Sequence, residues 1–160
     1  MVLLMAFLSI SLNAQNKTSA DSLSAYKYVP VTKFDPARNP AADLKAAEKE
    51  AQRTGKRILL DVGGDWCIWC HRLDDFFKNN ADVDKFMHEN FVVLKINYSR
   101  ENMNGEFLSR FPEIEGYPHI FILDKNGKLI KSKNTGELEN GKGHDHDKVM
   151  TFLKKFAPKM

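Results

Sequence analysis

Three short, mainly apolar runs constrain this chain more than any other feature: RILLDV (Arg57–Val62), FVVLKIN (Phe91–Asn97) and HIFIL (His119–Leu123). Each has the length of a strand, and none alternates apolar with polar, so each suits a strand covered on both faces. The segments between and around them carry the helical period instead. Leu44, Ala47 and Ala51 share one face of Ala41–Thr54, with Asn39-Pro40 as N-cap and first-turn proline and Gly55 as the stop. Cys70, Leu73, Phe76 and Phe77 fall at helical spacing, as do Val149, Phe152, Leu153 and Phe156 in a last helix from about Asp145 to Phe156. Asp82–Glu89 reads as a short helix, a second short one runs through Phe107 and Leu108, and Asn126-Gly127 is a hairpin signal leading into Lys128–Lys131. The order helix, strand, helix, helix, strand, short helix, strand, strand, helix predicts an α/β fold: a small mixed sheet with helices on both faces.

A chain of 160 residues is most simply one domain, and a formal charge of +3 gives no argument for nucleic acid as a partner. The first 15 residues, MVLLMAFLSISLNAQ, carry no charged side chain. Their apolar part is shorter than the roughly 20 residues a membrane-crossing helix needs, so no membrane span is expected. The run ends in Asn13-Ala14-Gln15 and reads as a secretory signal peptide without the usual basic start. The expectation is an exported protein, periplasmic or secreted. Residues 16–39, polar and interrupted by Pro30 and Pro36, read as a linker and lead-in, and residues 40–160 as the folded domain.

Both cysteines stand in DWCIWCHRL, two residues apart, with His71 directly behind. A disulfide closing so small a loop removes only about 2 kcal/mol of chain entropy from the unfolded state. Reactivity or ligation explains the pair better than stapling. Cys67 falls at a helix N-terminus, where the helix dipole stabilises a thiolate, and Cys70 lies one turn in on the apolar face. Cys67 is therefore expected to be the accessible, acidic thiol and Cys70 the buried one. Two other chemistries use the pattern. A zinc site would join Cys67 and Cys70 to His144 and His146, or to His71. A c-type haem would use both cysteines as thioether links, His71 as axial ligand and Met87 or Met103 opposite. His71 is otherwise an exposed side chain or a proton-transfer group. Lys95 is either an edge side chain or the partner of Asp61, a carboxylate set in an otherwise apolar strand.

Taken in order, ILLDVGGDWCIWC, LKIN, EGYPH and LDKNGKLI resemble the blocks of the thioredoxin-fold superfamily, and within it the exported thioredoxin-like proteins with a W-C-x-W-C motif. The resemblance covers roughly Ala41–Phe156. It implies a thioredoxin-like fold and a protein thiol–disulfide oxidoreductase with Cys67 as nucleophile and Cys70 as resolving thiol. It makes Asp61 the buried carboxylate that takes the Cys70 proton and Lys95 its neighbour. It also makes Tyr117–Pro118 a cis peptide facing the cysteines, with Pro118, Trp66 and Tyr117 shaping a groove for an extended peptide. No dissociable cofactor and no metal is implied; the partners are protein substrates and a redox partner that resets the cysteines. Ile68-Trp69 replaces thioredoxin's Gly-Pro, His71 a common lysine and His119 a frequent threonine, so the redox poise does not carry over. The rival reading is a non-catalytic binding module of the same fold.

Overall fold

The computed structural model describes residues 27–159. The expected signal peptide and most of the expected linker lie outside the described residues. Helix α1 (Pro40–Thr54) opens with the Asn39 side chain accepting from the Ala41 and Ala42 amides and ends at Gly55 with a left-handed φ of 72°. Strand β1 (Arg57–Gly63) follows, then helices α2 (Ile68–Asn79) and α3 (Ala81–Asn90), strand β2 (Phe91–Asn97) and the single-turn α4 (Gly105–Leu108). Strands β3 (His119–Leu123) and β4 (Leu129–Asn134) form the hairpin, and α5 (His146–Phe156) closes the chain with Asp145 as N-cap.

The sheet order is β2-β1-β3-β4, with β1 parallel to β2 and antiparallel to β3. The apolar runs of β1 and β3 are explained by this position, since both are interior strands with helices over both faces, while β2 lies at the edge of the sheet. Ile58, Leu60 and Val62 turn to the layer of α1, where they meet Leu44, Ala47 and Ala51. Leu59 turns the other way, to Leu73 and Phe76 of α2, Met87 of α3 and Phe152 of α5. The thioredoxin-like architecture, a mixed central sheet between helices, is therefore as expected.

The stretch before α1, read as a linker and partly ordered lead-in, ends against the sheet: Val31 forms a parallel bridge to Leu94 at the outer edge of β2, and Phe34 is buried. One part differs from expectation. Between β4 and α5 the chain forms a 3₁₀ turn (Thr135–Leu138) and a two-stranded hairpin, β5 (Glu139–Asn140) with β6 (Gly143–His144). No helix among the described residues is long and apolar enough to cross a membrane.

Candidate active site

Strand β1 delivers its chain directly into the cysteine turn. Gly63 lies so close to the Cys70 sulfur that a Cβ there would stand 2.5 Å from Sγ. A Cβ on Gly64 would stand 2.6 Å from both the Trp66 indole nitrogen and the Tyr98 carbonyl oxygen. These two glycines are required by close approach. The turn is closed by the Cys67 amide donating to the Gly64 carbonyl at 3.0 Å.

Cys67 is the N-cap of α2, and its Sγ accepts the Cys70 amide at 3.1 Å. The cysteines are joined as a disulfide, with 5.2 Å between their Cα atoms. Phe34 packs behind both, and Trp69 and Tyr117 flank them. Cys67, expected to be accessible, is itself 4% exposed, against 1% for Cys70. The N-cap position turns its side chain back over the helix end, so the contrast between the thiols is small in the disulfide form.

Asp61 and Lys95 are directly opposite in the β1–β2 register, on the face covered by α2. The Lys95 ammonium donates to Asp61 Oδ2 and to Asp74 Oδ1, each at 2.7 Å, and lies 4.2 Å from the Phe34 ring centre. Lys95 is thus a buried partner of Asp61, not an edge side chain. Asp61 Oδ1 is buried without a hydrogen-bond partner. Burial pushes the Asp61 pKa up, against the pull of Lys95. Burial works to lower the Lys95 pKa, but its two carboxylates outweigh it and the ammonium is held above its ordinary value.

The Tyr117–Pro118 peptide is cis. Its loop is held by Thr135 Oγ1, which donates to the Pro118 carbonyl at 2.5 Å. Tyr117 stacks on Tyr98 with 4.6 Å between ring centres and meets Trp66 edge-on at 5.7 Å. The Trp66 indole donates to the Tyr98 carbonyl at 2.6 Å, leaving the residue 58% exposed beside Ile68 at 59%. An exposed apolar rim therefore borders the cysteines. His71 is exposed, its Nε2 2.8 Å from the Asp65 carbonyl oxygen.

The residues of the other two chemistries are scattered. His146 sits 2.8 Å from Asp82, His144 packs against Trp69 and Phe76, and among the described residues no group of three or more His, Cys, Asp or Glu could hold a metal ion. Met87 is buried in the core under α3 and Met103 is exposed, so neither the haem nor the zinc set is assembled. Sequence reasoning missed Asp74, Phe34 and Tyr98, and considered His144 only as a zinc ligand. Asp74 had a usable signal, since it follows Cys70 by four residues on the same helical face.

Comparison with known proteins agrees with this geometry. A family model described as thioredoxin-like matches residues 39–125. The chain is 30% identical over 93 residues to the thiol:disulfide interchange protein DsbD of Actinobacillus pleuropneumoniae, covering 58% of this chain and 16% of that protein. It is 31% identical over 110 residues to DsbD of Colwellia psychrerythraea, covering 67% and 18%. The chain thus spans less than a fifth of the length of these relatives. Among solved structures, a disulphide isomerase from Xylella fastidiosa Temecula1 superposes with a TM-score of 0.66 at 25% identity, covering 79% of this chain and 97% of that one. With a matched region that takes in β1, the cysteine turn, β2, the Tyr117–Pro118 loop and β3, the chain belongs to the thioredoxin-like family.

Proposed function

We propose that the protein is an exported thiol–disulfide oxidoreductase acting on protein substrates through Cys67 and Cys70. The observation that carries this reading is Cys67 at the N-cap of α2, with the Cys70 amide already aimed at its sulfur. That arrangement stabilises a thiolate by hydrogen bonding and by the helix dipole. The names of the similar proteins, thiol:disulfide interchange protein and disulphide isomerase, support the reaction class, and the apolar opening run supports export.

In the reducing direction the Cys67 thiolate attacks one sulfur of a client disulfide. A Cys67–client bond forms and the client's other sulfur leaves as a thiolate, which takes a proton from water. Cys70 then gives its proton to Asp61 and attacks the Cys67 sulfur, expelling the second client thiolate, which takes up a proton from water as Asp61 returns its own to solvent. The client gains two electrons and two protons, and the protein is left with the Cys67–Cys70 disulfide. A redox partner returns the two electrons. Lys95 pairs with both Asp61 and Asp74 and holds Asp61 in place, while Trp66, its neighbour Tyr117 and Pro118 are the residues assigned to receiving an extended client segment. His71 modulates the turn through the Asp65 carbonyl.

Insulin reduction under dithiothreitol is the direct test. The intact chain should accelerate it, and Cys67→Ser should abolish the acceleration. An intact chain no faster than dithiothreitol alone would overturn the catalytic reading and favour the binding module.

A further inference from the structure

Trp69 lies between the two cysteines and is held from two sides by groups that the proposed reaction does not use. The Arg72 guanidinium stands 4.4 Å from the centre of its ring. His144, from the second strand of the small hairpin, meets it edge-on, with ring centres 6.0 Å apart and planes at 90°. The same imidazole packs against Phe76 one turn deeper in α2, at 5.9 Å. Both His144 ring nitrogens are buried without a hydrogen-bond partner, so the ring works here as a flat apolar wedge. Burial pushes its pKa down and keeps it neutral.

We infer that His144 is a positioning residue for the redox pair: through Trp69 it anchors the first turn of α2 and so stabilises the reduced, dithiol form. This rests on the proposed thiol–disulfide chemistry of Cys67 and Cys70. The first turn of a helix frays unless something holds it. In the oxidised protein the disulfide itself ties Cys67 to Cys70, and the anchor is redundant. After reduction that tie is gone, and the Cys70 amide stays on the Cys67 sulfur only if the turn keeps its shape. Ile68, 59% exposed, offers no hold. Trp69, wedged between His144 and Arg72, does. Stabilising the reduced form makes the pair a stronger oxidant, since protein disulfide plus two glutathione thiols goes to protein dithiol plus glutathione disulfide more readily. The hairpin is thus a buttress that tunes redox poise, and the sequence GKGHD supplies it from a part of the chain more than seventy residues after the cysteines.

The test is the equilibrium of the full chain in glutathione buffers, read by alkylation and mass. His144→Ala should shift the equilibrium constant toward the disulfide about fivefold, which is about 20 mV for a two-electron couple, and should raise the apparent pKa of Cys67 alkylation. His144→Phe keeps a ring edge against Trp69 and should stay within about twofold of the parent. If the alanine variant does not fold, His144→Leu carries the same expectation as alanine. An unchanged poise in the alanine or leucine variant, or an equal shift in the phenylalanine variant, would overturn the inference. Glutathione serves as reductant throughout, so a failure in insulin reduction would strike the functional reading and leave this result standing.

Discussion

Gly63 and Cys70 are in contact at a distance that leaves no space for a side chain on the glycine: an added Cβ would meet the Cys70 sulfur at 2.5 Å and the Phe34 ring at 3.1 Å. Neither neighbour has room to retreat, because both are buried. Gly63→Ala should therefore cost about 1–3 kcal/mol of stability, as overpacking does. Urea unfolding of the oxidised protein measures it, and a midpoint equal to the parent's would contradict the packing described.

Asp61 is a carboxylate whose burial raises its pKa while Lys95 keeps a second carboxylate in Asp74. A raised folded-state pKa means that the folded form holds its proton longer than the unfolded one. The associated stability is present below the ordinary carboxylate pKa and is lost as pH rises through the folded value. Asp61→Asn removes this loss, so the variant should be the more stable protein at pH 8, by about 1 kcal/mol or more. On the proposed role of Asp61 as proton acceptor for Cys70, it should also slow resolution of a mixed disulfide at Cys67. Denaturant midpoints from pH 5 to 8 and stopped-flow release of a labelled thiol check the two halves separately.

His119 follows the Tyr117–Pro118 peptide and is 3% exposed, with Nε2 2.8 Å from Ser132 Oγ and Nδ1 unpartnered. Burial lowers its pKa, with Glu115 acting weakly in the opposite sense. The unfolded chain then takes up the proton first, so stability should fall as pH drops below the ordinary value of 6.5. The slope is at most about 1.4 kcal/mol per pH unit for one proton. His144 adds to it with the same sign. His119→Thr should flatten the curve between pH 6.5 and 5; a slope as steep as the parent's would mean that His119 does not titrate there.

Trp66 exposes most of its ring while its indole nitrogen is tied to Tyr98. Trp66→Ala should cost no more than about 1 kcal/mol, one hydrogen bond's worth. If the rim receives client peptide, the same change should lower kcat/KM for insulin about tenfold, mostly through KM, as loss of an aromatic anchor does. A loss confined to kcat would move Trp66 from binding to the chemistry.

The interior strands were legible because burial on both faces leaves its mark as continuous apolar runs, and Asn39-Pro40 and Gly55 punctuate α1 in the ordinary way. The small hairpin was not. A strand of two residues has no period, and GELENGKGH has the composition of a loop. Val31 and Phe34 carry no period, and their burial depends on distant partners, Leu94 of β2 for Val31 and the cysteine pair for Phe34. At the site, the positions of Cys67, Cys70, Asp61 and Lys95 follow from strand–turn–helix geometry. Asp74 shares the helical face of Cys70, but its partner does not show in the helix: the Lys95 side chain reaches across to it from β2.

Residues from both sides of the matched stretch reach the cysteine-bearing turn, Phe34 against the cysteines and His144 against Trp69: Phe34 stands five positions before the stretch begins at residue 39, and His144 nineteen after it ends at residue 125. The border of kinship and the border of the working centre are different lines. A fragment trimmed to the shared stretch would retain both sulfurs and all three apolar runs. It would lose the ring behind the sulfurs and the wedge beside Trp69, and with them the surroundings that distinguish this dithiol from any other pair at a helix start.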